Sequence, residues 1–299
     1  METTVKPTRK SHEKLSLVSF TVAIGFTVFL YILLLKTLFP NLWVRQLVNG
    51  FWPIFWTAIA SHLFMGKFEF FFHRYILHEL LFVWLLRKWK QVLILFWWFL
   101  SKFEWLLKKF EHDHRLHHAL TPIFQERHLV ESQARAKVVS RYPIREKKQY
   151  QSSFFPYWGL AGFVVFFCII TVPLQLLLPH TPIMLGSLIG MTFSYCLYEM
   201  LHALEHTSFW EKTVENPKSG KLGKKIWGFH AAHHANVMSN MAISGFFGLP
   251  LFDWIFGTYK QPQGLLVNGT WVIEGDFVAP VPCRFIRWLD EVAIKLKTA

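Results

Sequence analysis

The stretch PIMLGSLIGMTFSYCLYEMLHALEH, Pro182 to His206, decides how this chain is read. It opens as an apolar segment, Pro182 to Met200, of a length able to cross the ~30 Å hydrocarbon layer of a bilayer. It closes on His202 and His206, four residues apart and therefore on one face of any helix that continues the segment. A membrane-length helix running into paired imidazoles puts candidate metal ligands at a membrane edge.

Three more groups of the same kind lie outward from this stretch: His73 with His78, His114 with His117 and His118, and His230 with His233 and His234. Together the four groups take ten of the fifteen histidines, far more order than chance placement gives. Neutral imidazole is the commonest protein ligand for transition metals, and the i, i+3, i+4 spacing of the two three-histidine groups turns their rings toward a common centre. His73 and His78 stand at i, i+5, which an ideal α-helix does not align, so a bulge or a helix end is expected between them. Ten imidazoles are too many for one ion and suit two, at four to six ligands each. Cys168, Cys196 and Cys283 are widely spaced, which argues against disulfides and thiolate sites. With neither thiolates nor dominant carboxylates, a di-iron centre that activates O2 is the expected chemistry, with iron the active metal even where overexpressed protein is isolated with zinc.

The chain is 53% hydrophobic, which sets it apart from soluble proteins. Spans are expected at about Leu15 to Phe39, Phe51 to Phe68, Tyr157 to Leu178 and Pro182 to Met200. The first carries one charge, Lys36, and no cleavage-site pattern follows it, so it reads as a retained anchor. Basic residues precede the first span at Lys6, Arg9, Lys10 and Lys14 and recur from Lys102 to Lys148, whereas the loop at 179–182 has none. The positive-inside rule then puts both termini, the basic segment and all four histidine groups on the cytosolic side. Leu80 to Leu107 is rich in Trp and Phe but interrupted by Arg87, Lys88 and Lys90, and it reads as an interfacial helical segment. The expected fold is all-α and integral to the membrane: four transmembrane helices in two hairpins, one interfacial segment and a cytosolic histidine-rich site. Residues 1–299 read as a single domain. The net charge of +13 fits a face resting on anionic lipid, and no nucleic-acid-binding module is visible.

At this point the residues carry a resemblance. The runs His73-Arg-Tyr-Ile-Leu-His78, His114-Arg-Leu-His117-His118, Tyr198-Glu-Met-Leu-His202-Ala-Leu-Glu-His206 and Phe229-His230-Ala-Ala-His233-His234 close on Phe252-Asp253-Trp254-Ile255-Phe256-Gly257-Thr258. Over about residues 62 to 260 this order resembles the fatty acid hydroxylase superfamily, which includes sterol desaturases and methyl oxidases, fatty acid 2-hydroxylases and sphingoid base hydroxylases. The resemblance implies a non-haem di-iron oxygenase acting on a membrane lipid, with O2 as co-substrate and the ten histidines as ligands. The first box and the Tyr198 to His206 segment look most like fatty acid 2-hydroxylases. Thr207 stands where those enzymes commonly have another histidine, and the first two boxes are separated by a long aromatic insertion. The chain lacks the His-Pro-Gly-Gly of a fused cytochrome b5 domain, so the resemblance implies a separate electron donor such as cytochrome b5 or a ferredoxin.

Two glutamates stand at helical spacing from ligands. Glu69 lies four before His73 and Glu199 three before His202, so each is a candidate to accept the ring N–H of its neighbour. Asp253 reads as a cap or pairing group of the closing turn. His62 is a polar residue inside a span, suited to packing or substrate contact. Sterol C5 desaturation or C4-methyl oxidation is the alternative within the family, and a membrane metal transporter is the alternative of a different class. Lys295 and Lys297, fifth and third from the end, resemble a dilysine retrieval signal. That places the protein in the endoplasmic reticulum if the source is eukaryotic and in the inner membrane if it is bacterial.

Overall fold

The computed structural model describes residues 17–78, 97–130, 133–209, 228–264 and 274–298, with 218, 221, 222, 224 and 272. Most of the expected interfacial segment, from 80 to 96, lies outside the described residues. The protein is predominantly helical, and three described helices are long and apolar enough to cross a membrane: Val18–Leu38, Gly159–Leu177 and Ile183–Glu205. By length and composition the chain is membrane-associated.

Helix α1 (Leu17–Leu38) is followed by the short α2 (Pro40–Val48), which starts on a proline whose missing N–H no helix start needs. Helix α3 (Phe51–Phe72) covers the expected second span, but His62, Lys67 and Glu69 lower its hydropathy. It leads without a break into a π-helical turn, His73–His78. Helix α4 (Trp97–Leu120) carries the second histidine group on its last turns. An antiparallel hairpin follows, β1 (Ile123–Val130) with β2 (Gln133–Ser140), pairing Ile123 with Ser140 and Val130 with Gln133. This hairpin corrects the all-α expectation. The alternation of its residues is hidden by Arg127, Arg135 and Lys137, which mark the segment first as a basic stretch.

Helix α5 (Lys147–Ser152) opens on a capping box between Glu146 and Gln149. Helices α6 (Gly159–Leu177) and α7 (Ile183–Glu205) form the second pair of long apolar helices. The last stretch contains α8 (Phe229–Ala235), α9 (Leu251–Phe256), α10 (Glu274–Phe277) and α11 (Arg284–Thr298). Within a bilayer, lipid tails remove the hydrophobic drive between helices, so close packing of small residues must hold them. The α3–α7 contact has that character: a Cβ on Gly186 would lie 2.5 Å from Thr57 Cβ, and one on Gly190 would lie 2.5 Å from the Ala58 carbonyl. Toward the histidine end this contact widens into a core of Met65, Phe72, Leu107, Phe110, Leu188 and Met191. Two smaller clusters brace the site from outside. Ile123 and Val138 pack on Ala231 and Ala232 of α8, and Ile286 of α11 packs with Phe70, Met241, Phe252 and Phe256.

Candidate metal centre

The ten grouped histidines converge as two sets of five. His73, His78, His114, His118 and His233 form the first set, and His117, His202, His206, His230 and His234 form the second. Within each set, one ring nitrogen per residue lies within 4.8 Å of all the others. The expected bulge between His73 and His78 is the π-helical turn, whose wider winding brings an i, i+5 pair to one centre. The two three-histidine boxes are shared between sets. In α4 the i, i+4 pair His114 and His118 joins the first set while His117 turns to the second. In α8 the roles reverse: His230 and His234 join the second set and His233 the first. The two helices therefore knit both centres together.

The spacing of the nitrogens tests whether metal ions fit. In the first set His73 Nε2 and His118 Nε2 each stand 3.0 Å from His114 Nε2, and His233 Nε2 stands 3.2 Å from His118 Nε2. In the second, His117 Nε2 is 3.1 Å from His202 Nε2 and 3.2 Å from His234 Nε2, and His206 and His230 approach to 3.1 Å. Imidazoles bound at about 2.1 Å stand about 3.0 Å apart when adjacent at right angles and about 4.2 Å apart when opposite. Both sets have those dimensions.

Ring tautomers strengthen the fit. His73 Nδ1 donates to the Met241 carbonyl at 2.7 Å and His233 Nδ1 to the Ser239 carbonyl at 2.8 Å. His202, His206 and His234 Nδ1 donate to the carbonyls of Ser153, Tyr142 and Thr121 at 2.8, 2.9 and 2.9 Å. His117 Nδ1 donates to Ser153 Oγ at 3.0 Å, because that hydroxyl spends its own proton on the Gln149 carbonyl. A carbonyl only accepts, so the proton sits on Nδ1 and each Nε2 presents a bare lone pair. Lone pairs aimed at one another 3.1 Å apart, as at His117 and His202, repel unless a cation sits between them. Burial holds the imidazoles of His78, His118, His206 and His234 well below the usual histidine range and takes His233 down to about 4. Neutral rings are the form that binds metal.

The glutamates stand elsewhere than their helical spacing predicts. Glu69 accepts from Ser244 N at 2.8 Å, Ser244 Oγ at 2.5 Å and Gly245 N at 3.1 Å, while the His73 ring uses Met241. Glu199 accepts from Phe155 N at 3.2 Å, while His202 uses Ser153. Backbone carbonyls are freely placed by the loops after α5 and α8, whereas a carboxylate on the ligand's own helix must share its direction. Asp253 does bind within the closing turn, accepting from Met241 N at 2.7 Å, Ala242 N at 2.8 Å and Thr258 Oγ1 at 2.6 Å. Glu69 and Asp253 thus pin the two ends of residues 241–245, beside the carbonyls that orient His73 and His233. His62 is a packed residue: Nδ1 donates to Ser194 Oγ at 2.7 Å and Nε2 accepts from Phe247 N at 3.0 Å. Sequence reasoning missed Thr121, Tyr142, Ser153, Ser239 and Met241. Only Thr121 leaves a trace, one helical turn after His117 with its hydroxyl on the His117 carbonyl.

Fold and site together define a membrane-associated helical protein with two buried five-histidine sets, each of which could hold a metal ion. No family model, curated protein or solved structure matches the chain.

Proposed function

We propose that the protein is a non-haem di-iron lipid hydroxylase of the fatty acid hydroxylase superfamily type, most like the enzymes that hydroxylate C2 of fatty acyl or sphingolipid chains. One observation carries the reading. A cavity of about 50 Å³ lies between α3, α6 and α7, walled by Met65, Phe68, Phe72, Phe155, Phe163 and Met191, and it reaches His73 of the first set. An aromatic slot ending on a metal ligand suits an apolar chain whose reactive carbon must be held against an oxidant in the absence of bulk water. A metal transporter needs ligating groups spread along a polar path, and this slot is apolar.

Two iron ions held by the two sets would supply O2 activation, inserting one oxygen atom into a C–H bond while two electrons and two protons from outside reduce the other to water. The chain's own residues do the rest. His73, His114 and His233 fix the first set beside the slot, and the phenylalanines exclude water and align the chain. The carbonyls of Met241 and Ser239 hold two of the ligand rings in register. In this reading the electrons come from a separate donor such as cytochrome b5 or a ferredoxin. On the same reading α3 also crosses the membrane, making four spans, and the positive-inside rule puts both termini and the histidine sets on the cytosolic side.

Untargeted lipid mass spectrometry of cells expressing the chain under 18O2 tests the proposal. One labelled oxygen on an acyl chain, absent with the His206→Ala variant, is the expected result. Loss of two hydrogens without label would make the enzyme a desaturase. Metal-dependent ion flux in liposomes with no lipid product would replace the hydroxylase with a transporter.

A further inference from the structure

The π-helical turn that presents His73 and His78 continues α3 in a winding that is rare in proteins and occurs mostly as single turns at functional sites. Its second and third residues, Arg74 and Tyr75, bond away from the site. Arg74 is buried to 1% exposure, and its Nε and Nη2 donate to the two carboxylate oxygens of Asp290 at 2.9 and 2.6 Å. Tyr75 OH donates to the same carboxylate at 2.9 Å. Arg74 Nη1 also reaches the Met238 carbonyl at 3.4 Å, at the start of the loop that orients His233 and His73. Asp290 belongs to α11, 216 residues away in sequence and outside every histidine box.

We infer that Asp290 is a positioning residue for the first five-histidine set, acting through Arg74 and Tyr75 to hold the π-helical turn in the winding that aims His73 and His78 at one centre. A bidentate guanidinium–carboxylate pair fixes orientation as well as distance, which a turn of unusual winding needs. One further feature places α11 for the task. Ile286, one turn before Asp290, is fully buried against Phe70, Met241 and Phe252, so the helix cannot slide along the turn. Among the described residues the second set has no contact of this kind: its histidines sit on α4, at the end of α7 and on α8, and take their orientation from Thr121, Tyr142 and Ser153. Loss of Asp290 should therefore be felt at one centre and not at the other. The inference rests on the reading of the two sets as metal sites, and on nothing else in the proposed function.

The test is a competition titration of the purified full chain with Zn(II) or Co(II), resolving two binding phases, with His78→Ala and His206→Ala used to assign each phase to its set. Asp290→Asn is expected to weaken the phase assigned to the first set by about 10- to 100-fold, the usual effect of removing a group that orients a ligand, and to leave the second within about threefold. Asp290→Glu should recover part of the loss, and Glu291→Gln, exposed on the same helix, should change neither phase. Because Asp290→Asn strands a buried guanidinium and can destabilise the fold, the double variant Arg74→Met, Asp290→Leu serves as a second arm. It removes the anchor without leaving an unpaired charge, and it too should weaken only the first set. Equal weakening of both phases, or no change in either, overturns the inference while the metal reading stands. A wild-type chain that binds no metal overturns both.

Discussion

The two five-histidine sets have the same donors and different surroundings. In the first, His78 and His118 are partly exposed and His73 borders an apolar cavity. Its rings are oriented by the loop after α8, and its π-helical turn is tied to the C-terminal helix. In the second, all five ligands are buried, and their orienting carbonyls come from the ends of α4, the hairpin and α5. Buried polar groups without partners gather on that side: both oxygens of Glu205, the Tyr142 hydroxyl and His230 Nδ1. Ligand count therefore does not distinguish the centres; access does. Under the proposed function, chemistry that must reach a substrate falls to the first set, whose His73 borders the apolar cavity, whereas all five histidines of the second are buried.

Removing one ligand from each set separates access from ligation, and it is the largest effect expected. His206→Ala removes a fully buried ring from a set whose five histidines are all buried. Metal content should fall by half or more, and labelled-product formation should fall by at least about 100-fold. His78→Ala exposes its centre to water, which can occupy the open position, so metal affinity should drop by about 10- to 100-fold while some metal is retained at saturation. Elemental analysis after reconstitution with excess metal checks both. Equal and complete loss in the two variants would remove the distinction between an open and an enclosed centre.

The comparison also shows what the sequence carried. Helical spacing marked eight of the ten histidines that converge, and the i, i+5 spacing of His73 and His78 marked the irregular turn. Which set each histidine joins was not legible. His117 and His118 are neighbours in sequence, about 100° apart around the helix, and the partner that claims each one arrives on a different element. Glu69 and Glu199 looked like orienting groups because spacing relates residues on one helix only. The groups that do orient the rings are carbonyls on loops, and a carbonyl has no residue type to betray it. The Arg74–Asp290 pair is invisible for the same reason, since nothing near Asp290 repeats or patterns with the histidine boxes. The hairpin was lost beneath its own positive charge.

Ser153 offers a finer cut within the enclosed set. Its carbonyl accepts from His202 and its hydroxyl from His117, so one residue orients two ligands by different atoms. Ser153→Ala keeps the carbonyl and deletes the hydroxyl, leaving His117 Nδ1–H buried without an acceptor. A cost of about 1–3 kcal/mol to the folded state is expected. Affinity at the second set should fall by about tenfold, with the first unchanged. The two-phase titration reads the second effect, and thermal unfolding in detergent reads the first. A weakened first set would mean that the centres are coupled through α4 and not independent.

The smallest effect tests the geometry on which all the others depend. His112 lies two residues before His114 on the same helix, in the run Glu111-His112-Asp113-His114. At 100° per residue it is turned about 200° from His114, and it is exposed where His114 and His117 are buried. His112→Ala should leave both binding phases, thermal stability and product formation within about twofold of wild type, since exposed substitutions of this kind change stability by no more than about 0.5 kcal/mol. His114→Ala, by contrast, should cost the first set its central ligand, the one nitrogen that stands 3.0 Å from both His73 and His118. If the two alanine variants behave alike while both remain folded and inserted, the ligand face of α4 has been drawn on the wrong side of the helix. The division of the ten histidines into two sets would then have to be redrawn from that helix outward.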